Sequence, residues 1–120
     1  MTRGIVLLGH GSRDPAWREP MDAVAARIRA RAPDALVACA FLEWQAPDLA
    51  AAIDQVAQQG ATSVAVLPVF VGVGRHVRED LPEHLAAARR RHPALTITAL
   101  ASVGEQAAAL DCMASIALGA

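Results

Sequence analysis

The chain has 120 residues, a formal net charge of -1 and a hydrophobic fraction of 54%. This length predicts a single domain over residues 1–120, and the near-neutral charge offers no broad basic surface to nucleic acid. No apolar run approaches the roughly 20 residues of a membrane span, so we expect the excess apolar surface to meet another subunit. All 11 basic residues are arginine, which excludes a Walker A phosphate loop and lysine-based catalysis.

The first residues and the cysteines predict a cytoplasmic protein. The first apolar strand follows Met1–Arg3 directly, without the charged and apolar regions of a secretion signal. Cys39 falls within a predicted strand and Cys112 within a predicted helix, and no CxxC spacing is present. We therefore expect both cysteines to be buried, reduced and without a ligand role.

Four apolar runs alternate with four helical patterns along the chain. The strands are predicted over residues 3–9, 35–42, 63–71 and 95–101. The helices are predicted over 17–31, from Leu49 to a stop at Gly60, from about Asp80 (with Pro82 in the first turn) to the residue before Pro93, and over 104–118. Because unbroken apolar strands are buried on both faces, the sequence predicts an α/β fold. This fold is a three-layer, doubly wound sheet of four parallel strands with helices on both faces.

The loops that follow the strands are the predicted site, since open α/β sheets bind ligands at the carboxyl ends of their strands. His10 follows the first strand, Glu43 the second and His76 the third. Two imidazoles and a carboxylate can bind a divalent first-row metal and leave coordination positions open. Imidazole also titrates near neutral pH, so the same histidines could accept protons from a substrate.

Each of these side chains also has a structural interpretation. His10 could be a capping or packing residue, although the glycines on either side of it indicate a close approach of the backbone to another group. Glu43 could begin the second helix, where a carboxylate favours the helix dipole. His84 and His92 fall on the third helix and at its end, and both are interpreted as surface or capping residues.

Arginines in the same loops predict an anionic ligand. Arg13 lies in the first loop, and Arg75 and Arg78 follow the third strand. The glycine pair Gly72 and Gly74 permits a tight turn whose backbone amides could face the same anion. Salt bridges to neighbouring carboxylates are the alternative role for each arginine. The third glycine of a dinucleotide fingerprint is missing, so a nicotinamide cofactor is not expected.

Three blocks of this sequence resemble the short, single-domain sirohydrochlorin cobaltochelatases of the CbiX type. The blocks are Gly9-His10-Gly11-Ser12-Arg13-Asp14-Pro15, Phe41-Leu42-Glu43, and the segment from Leu67-Pro68-Val69-Phe70 through Gly74-Arg75-His76-Val77 to Asp80-Leu81-Pro82. The resemblance extends over about two thirds of the chain. Residues 101–105 depart from the pattern, because many relatives have a histidine-proline pair there.

The resemblance implies a class II chelatase fold, a homodimer, and insertion of Co(II) into the tetrapyrrole sirohydrochlorin during cobalamin biosynthesis. It implies that His10 and His76 bind the metal and accept the pyrrole protons, with Glu43 as the accompanying carboxylate. The residues that would bind the tetrapyrrole are Ser12, Arg13, Arg75 and Arg78. The divalent metal would be a substrate, with Ni(II), Fe(II) and Zn(II) as other possible metals, and no tightly bound cofactor is expected.

Other functions would use some of the same residues. Iron or nickel insertion into the same ring, or carriage of cobalt or nickel without turnover, would need the same histidines, although a bare cation has no use for the arginines. A histidine phosphatase would need an arginine immediately before His10, where Gly9 stands, and serine hydrolysis would need a GxSxG turn that the chain lacks. The apolar helix over 104–118 could form part of a dimer contact or could cover the sheet.

Overall fold

Four parallel strands form one sheet, in the order β2-β1-β3-β4, in the computed structural model of residues 1–120. The strands are β1 (Arg3–Gly9), β2 (Leu36–Phe41), β3 (Ser63–Pro68) and β4 (Thr96–Ala99). The helices are α1 (Glu19–Arg31), α2 (Leu49–Gln58), α3 (Arg75–Arg91) and α4 (Ala107–Leu118), with short 3-10 turns at Pro15–Arg18 and Val103–Glu105. The predicted parallel α/β fold is confirmed. Because β1 lies between β2 and β3, the loops that follow these strands are neighbours at one edge of the sheet.

The central strand β1 separates two apolar cores. Val6 and Leu8 are fully buried in the core on the α2 and α3 face, and Leu7 is fully buried in the core on the α1 face. Ile53 and Val56 of α2 are also fully buried, and each such side chain contributes on the order of 1.5–3 kcal/mol relative to an exposed one. The helices on both faces give the three layers that the apolar strands predict.

Helix α3 begins earlier than the sequence pattern predicts. Its first residue is Arg75 rather than a residue near Asp80, and Pro82 lies inside the helix instead of in its first turn. Proline is common in first turns, which explains the incorrect boundary. The strand before it is correspondingly shorter than predicted and ends at Pro68, which has no N–H to donate to the sheet. His76 therefore occupies the first turn of a helix and not a loop.

Helix α4 does not cover the sheet. None of its residues is buried, and it packs chiefly against the 3-10 turn at Val103–Glu105. Ile116 and Leu118 are 72% and 82% exposed. Cys39 is buried as predicted, but Cys112 is exposed because its helix packs chiefly against one short 3-10 turn, so the prediction of two buried cysteines is wrong for Cys112. None of the helices combines the length and apolar character needed to span a membrane.

Candidate functional site

Backbone hydrogen bonds hold the loops after β1 and β2 together. The Leu42 N–H donates to the Gly9 carbonyl at 3.0 Å, and the Glu43 N–H donates to the His10 carbonyl at 3.1 Å. This pairing places the Glu43 carboxylate beside the His10 ring, with 3.1 Å between Oε1 and Nε2. Both side chains are about half exposed, at 51% and 55%. The structure therefore joins two of the three predicted metal ligands in one polar contact.

Gly11 makes this close approach of the two loops possible. Its φ is +97°, and a Cβ added there would lie 1.8 Å from the carbonyl oxygen of Glu43. Any other residue would push the Glu43 backbone away, and with it the carboxylate that contacts His10. The close approach of backbone that the glycines around His10 predict is present in the structure.

His76 lines a cavity of about 410 Å³ together with His10 and Glu43. A second cavity of about 300 Å³ is lined by both histidines and continues to Gly72, Gly74 and Arg75. The three predicted ligands therefore line one cavity at the carboxyl edge of the sheet. As placed, no group of three His, Cys, Asp or Glu side chains is close enough together to hold a metal ion. A shared metal would need His76 to approach the His10 and Glu43 pair.

Two further metal-competent side chains line the same cavity. Asp80 and His84 follow His76 at four-residue intervals along α3, and such residues share one face of a helix. His84 is exposed, as predicted, but its alignment with His76 was not predicted because the helix was expected to begin only near Asp80. The spacing itself was the signal that could have identified both residues.

His84 also borders a groove of about 450 Å³ between α2 and α3. An ion-pair network lies in this groove: Arg91 donates to both carboxylate oxygens of Asp54, at 2.9 and 2.8 Å, and the His92 ring lies 2.6 Å from Oδ1. The hydrogen bonds from Arg91 and then from His92 lower the pKa of the Asp54 carboxyl below its ordinary 3.8. The network ties the carboxyl end of α3 to α2. It thereby fixes the helix that carries His76.

The predicted anion-binding residues do not share one location. The Arg13 guanidinium lies 4.0 Å from the ring centroid of Trp44, and the Ser12 hydroxyl accepts a hydrogen bond from the Asp14 N–H at 3.0 Å. Arg75 lines the 300 Å³ cavity and donates to Glu79 at 2.9 Å. This contact is the salt bridge to a neighbouring carboxylate that was the alternative role for each arginine. Arg78 lines a neighbouring groove of about 210 Å³ between α3 and the end of β4 and does not line the histidine cavity.

The sequence and the fold both match one family. A family model for CbiX matches residues 4–116. The chain belongs to the CbiX family. The resemblance drawn from the sequence blocks around His10 and His76 is thereby confirmed.

Curated relatives of this CbiX chain are metal chelatases by name. The sirohydrochlorin cobaltochelatase of Methanococcoides burtonii is 37% identical over 82 residues, which are 68% of this chain and 63% of that relative. The sirohydrochlorin ferrochelatase of Bacillus subtilis is 29% identical over 98 residues, which are 82% of this chain and 38% of that relative. The match with this chain thus spans less than two thirds of the length of either relative.

Solved structures of CbiX relatives share the fold. A CbiX protein from Marinobacter aquaeolei VT8 superimposes with a TM-score of 0.81 at 26% identity, covering 98% of this chain and 95% of that one. The sirohydrochlorin chelatase SirB of Bacillus subtilis subspecies spizizenii, solved in complex with cobalt, gives a TM-score of 0.76 at 29% identity. That match covers 88% of this chain but 45% of SirB, so this chain corresponds to about half of SirB.

Proposed function

We propose that this CbiX-family chain inserts Co(II) into sirohydrochlorin. The observation that carries the proposal is the cavity that His10, Glu43 and His76 line together at the carboxyl edge of the sheet. The names of the relatives supply the substrate class. We place the reaction in the cytoplasm, a reducing compartment in which the two free thiols, Cys39 and Cys112, would persist.

The chemistry requires a site that binds a cation and accepts protons. Two pyrrole N–H protons must leave the ring as the divalent metal enters, and the metal must exchange its bound water for ring nitrogens. We propose that His10, His76 and Glu43 hold the incoming metal on one side and leave the other side open to the ring. His10 and His76, once released from the metal, could then each accept one of the two pyrrole protons. Glu43, 3.1 Å from the His10 ring, would stabilise the positive charge that this proton brings.

The arginines favour a chelatase over a simple metal carrier. Arg75 lines the cavity that holds both histidines, and Arg13 lies against Trp44, the residue that follows Glu43. We propose that these two arginines, with Ser12, bind carboxylates at the edge of the macrocycle. Arg78 would reach the ring only from its own groove.

We further propose that the active form is a homodimer. A flat macrocycle is large compared with the edge of a four-stranded sheet, so one chain supplies one wall of the site. Two features of the molecule support a second copy: α4 has no buried residue, and this chain corresponds to about half of SirB. Sedimentation velocity with Ile116→Arg should show a monomer that has lost insertion activity, whereas Val24→Arg, an equally drastic change on α1, should leave the dimer intact. A fully active Ile116→Arg monomer would contradict the dimer proposal.

The insertion reaction itself can be tested by anaerobic incubation of the protein with sirohydrochlorin and Co(II), Ni(II), Fe(II) or Zn(II) in turn. The absorbance change of the ring reports insertion. We expect His10→Ala and His76→Ala to lose at least 100-fold in rate, on the order of what positioned acid-base groups contribute. His92→Ala removes an imidazole that supports α3 but does not line the cavity, so it controls for a loss of stability alone. Parent-like cobalt insertion by both cavity variants would refute the assignment, and metal binding without any change in the ring spectrum would favour the carrier.

A further inference from the structure

Trp44 has a backbone conformation that bulky residues rarely adopt. Its φ is +69°, and every other residue with a positive φ in this chain is a glycine. The Gln45 N–H donates to the Glu43 carbonyl at 2.9 Å, which closes a three-residue γ-turn around Trp44. Turns of this hand are strained, and such strain persists where the surrounding structure imposes it. Glycine would relieve this strain, yet a tryptophan stands here.

The strained turn is fixed directly to the candidate site. Glu43 precedes Trp44, and its N–H is bonded to the His10 carbonyl while its carboxylate contacts the His10 ring. Trp44 is nevertheless 58% exposed to solvent. Large aromatic side chains gain more free energy from burial than most other residues. Trp44 in the free protein therefore carries two costs, the strained backbone and the aromatic surface left in water. A bound molecule that covers the indole would recover the lost burial.

Arg13 shows which kind of molecule this surface suits. Its guanidinium lies 4.0 Å from the centroid of the Trp44 ring, a cation-π contact made by a tryptophan of which more than half stays exposed. The exposed indole surface offers stacking to a flat conjugated ring, and the guanidinium offers charge-assisted hydrogen bonds to an anion at the edge of that ring. A flat polyanion meets both requirements, whereas a bare metal ion meets neither.

We propose that Trp44 is a substrate-recognition residue that stacks on the tetrapyrrole, with Arg13 held against the indole to bind a peripheral carboxylate. This inference rests on the proposed function, since it names the contact that the ring would make beside His10 and Glu43. The strained turn then has a role: it keeps the indole pointing out of the fold, where the ring can reach it.

Two substitutions separate ring recognition from structural support. Trp44→Gly removes the indole and relieves the backbone strain, so the urea midpoint should stay the same or rise. The dissociation constant for sirohydrochlorin, measured anaerobically by absorbance titration without metal, should nevertheless increase about tenfold, the scale on which aromatic platforms contribute to stacked rings. Trp44→Phe keeps an aromatic face and should restore most of the affinity.

The other tryptophan is the matched control. Trp17 is 40% exposed and packs edge-on against Phe41, with 6.3 Å between ring centroids, so Trp17→Phe should change ring affinity less than twofold. If Trp44→Gly binds the ring as tightly as the parent, the inference is wrong while the proposed function stands. If Trp44→Gly instead unfolds more easily, Trp44 is a structural residue, and the inference again fails. A parent protein that does not bind sirohydrochlorin contradicts the proposed function as well.

Discussion

Gly11 allows a sharp test of how tightly the two loops must approach each other. An alanine at this position would place its Cβ 1.8 Å from the Glu43 carbonyl oxygen and would hold a φ of +97°. That oxygen would have to retreat by roughly 1.5 Å before ordinary van der Waals contact is reached. Because the Glu43 N–H is bonded to the His10 carbonyl, the same movement would separate Glu43 from His10.

The expected loss of stability has two sources that add. A left-handed backbone costs an alanine roughly 1–2 kcal/mol, of which about 0.4–1 kcal/mol is returned through the lower entropy of the unfolded chain. Overpacking of the kind produced by the new Cβ costs about 1–3 kcal/mol. We expect Gly11→Ala to lose about 2–4 kcal/mol in the free energy of unfolding, which would lower the urea midpoint by about 1–2 M at a typical m-value.

Three other glycines separate these contributions. Gly60 has a φ of +109° with nothing near an added Cβ, so Gly60→Ala measures the backbone cost alone. Gly104 has no positive φ, but an added Cβ would lie 1.7 Å from the Val71 carbonyl oxygen, so Gly104→Ala measures the clash alone. Gly72 has neither problem, and Gly72→Ala should be neutral or slightly stabilising.

Cobalt insertion into sirohydrochlorin distinguishes an effect on the site from an effect on the fold. Displacing a reacting group by about 1 Å can reduce a rate on the order of 100-fold, so Gly11→Ala should lose far more activity than Gly60→Ala under conditions where both are folded. Urea denaturation followed by circular dichroism gives the stabilities of all four variants. Gly11→Ala with the stability of Gly72→Ala would refute the reasoning about loop approach.

Two further predictions concern α3 and its neighbours. The Asp54 pKa is lowered in the fold, so the carboxylate stabilises the protein above the ordinary pKa of 3.8, and this contribution disappears as the pH falls through the lowered value. The Tm difference between the parent and Asp54→Asn should therefore be full at pH 5, begin to shrink below the ordinary pKa of 3.8, and vanish only below the lowered value. Asp80→Asn and His84→Gln should each weaken Co(II) binding several-fold in calorimetric titration, because both side chains line the histidine cavity.

Each of these predictions has a matched control. Asp48→Asn changes another carboxylate at the start of α2, one that caps the helix through the Ala51 N–H but contacts no cation, and it should not reproduce the acid dependence of Asp54→Asn. Glu83→Gln removes a carboxylate beside His84 that does not line the cavity, and it should bind Co(II) as the parent does. Equal losses from Glu83→Gln and Asp80→Asn would indicate a general charge effect and no specific contact with the metal.

The sequence alone determined the parallel sheet, its two covered faces and the family, and it predicted that His10 and His76 lie at the same edge of the sheet. These features are local: unbroken apolar runs such as Val64–Val66 report burial, and His10 and His76 follow strands whose carboxyl ends meet at one edge. A reader of the sequence needs only hydrophobic periodicity and short motifs to infer them.

Only the tertiary structure decided which side chains share a cavity. His84 lines the cavity with His76, whereas Arg78 lines another groove, because α3 starts at Arg75. The sequence predicted a later start because Pro82 is typical of the first turn of a helix. The exposed state of α4 also depended on what packs beside it, since an apolar helix has the same pattern whether or not a neighbour is present. The sequence did not single out Trp44, because no residue pattern there predicts a positive φ for a tryptophan, and because its contact with Arg13 joins two loops that are distant in the chain. Hydrophobic periodicity shows which face of a helix or strand is apolar, but it does not show which other element packs against that face.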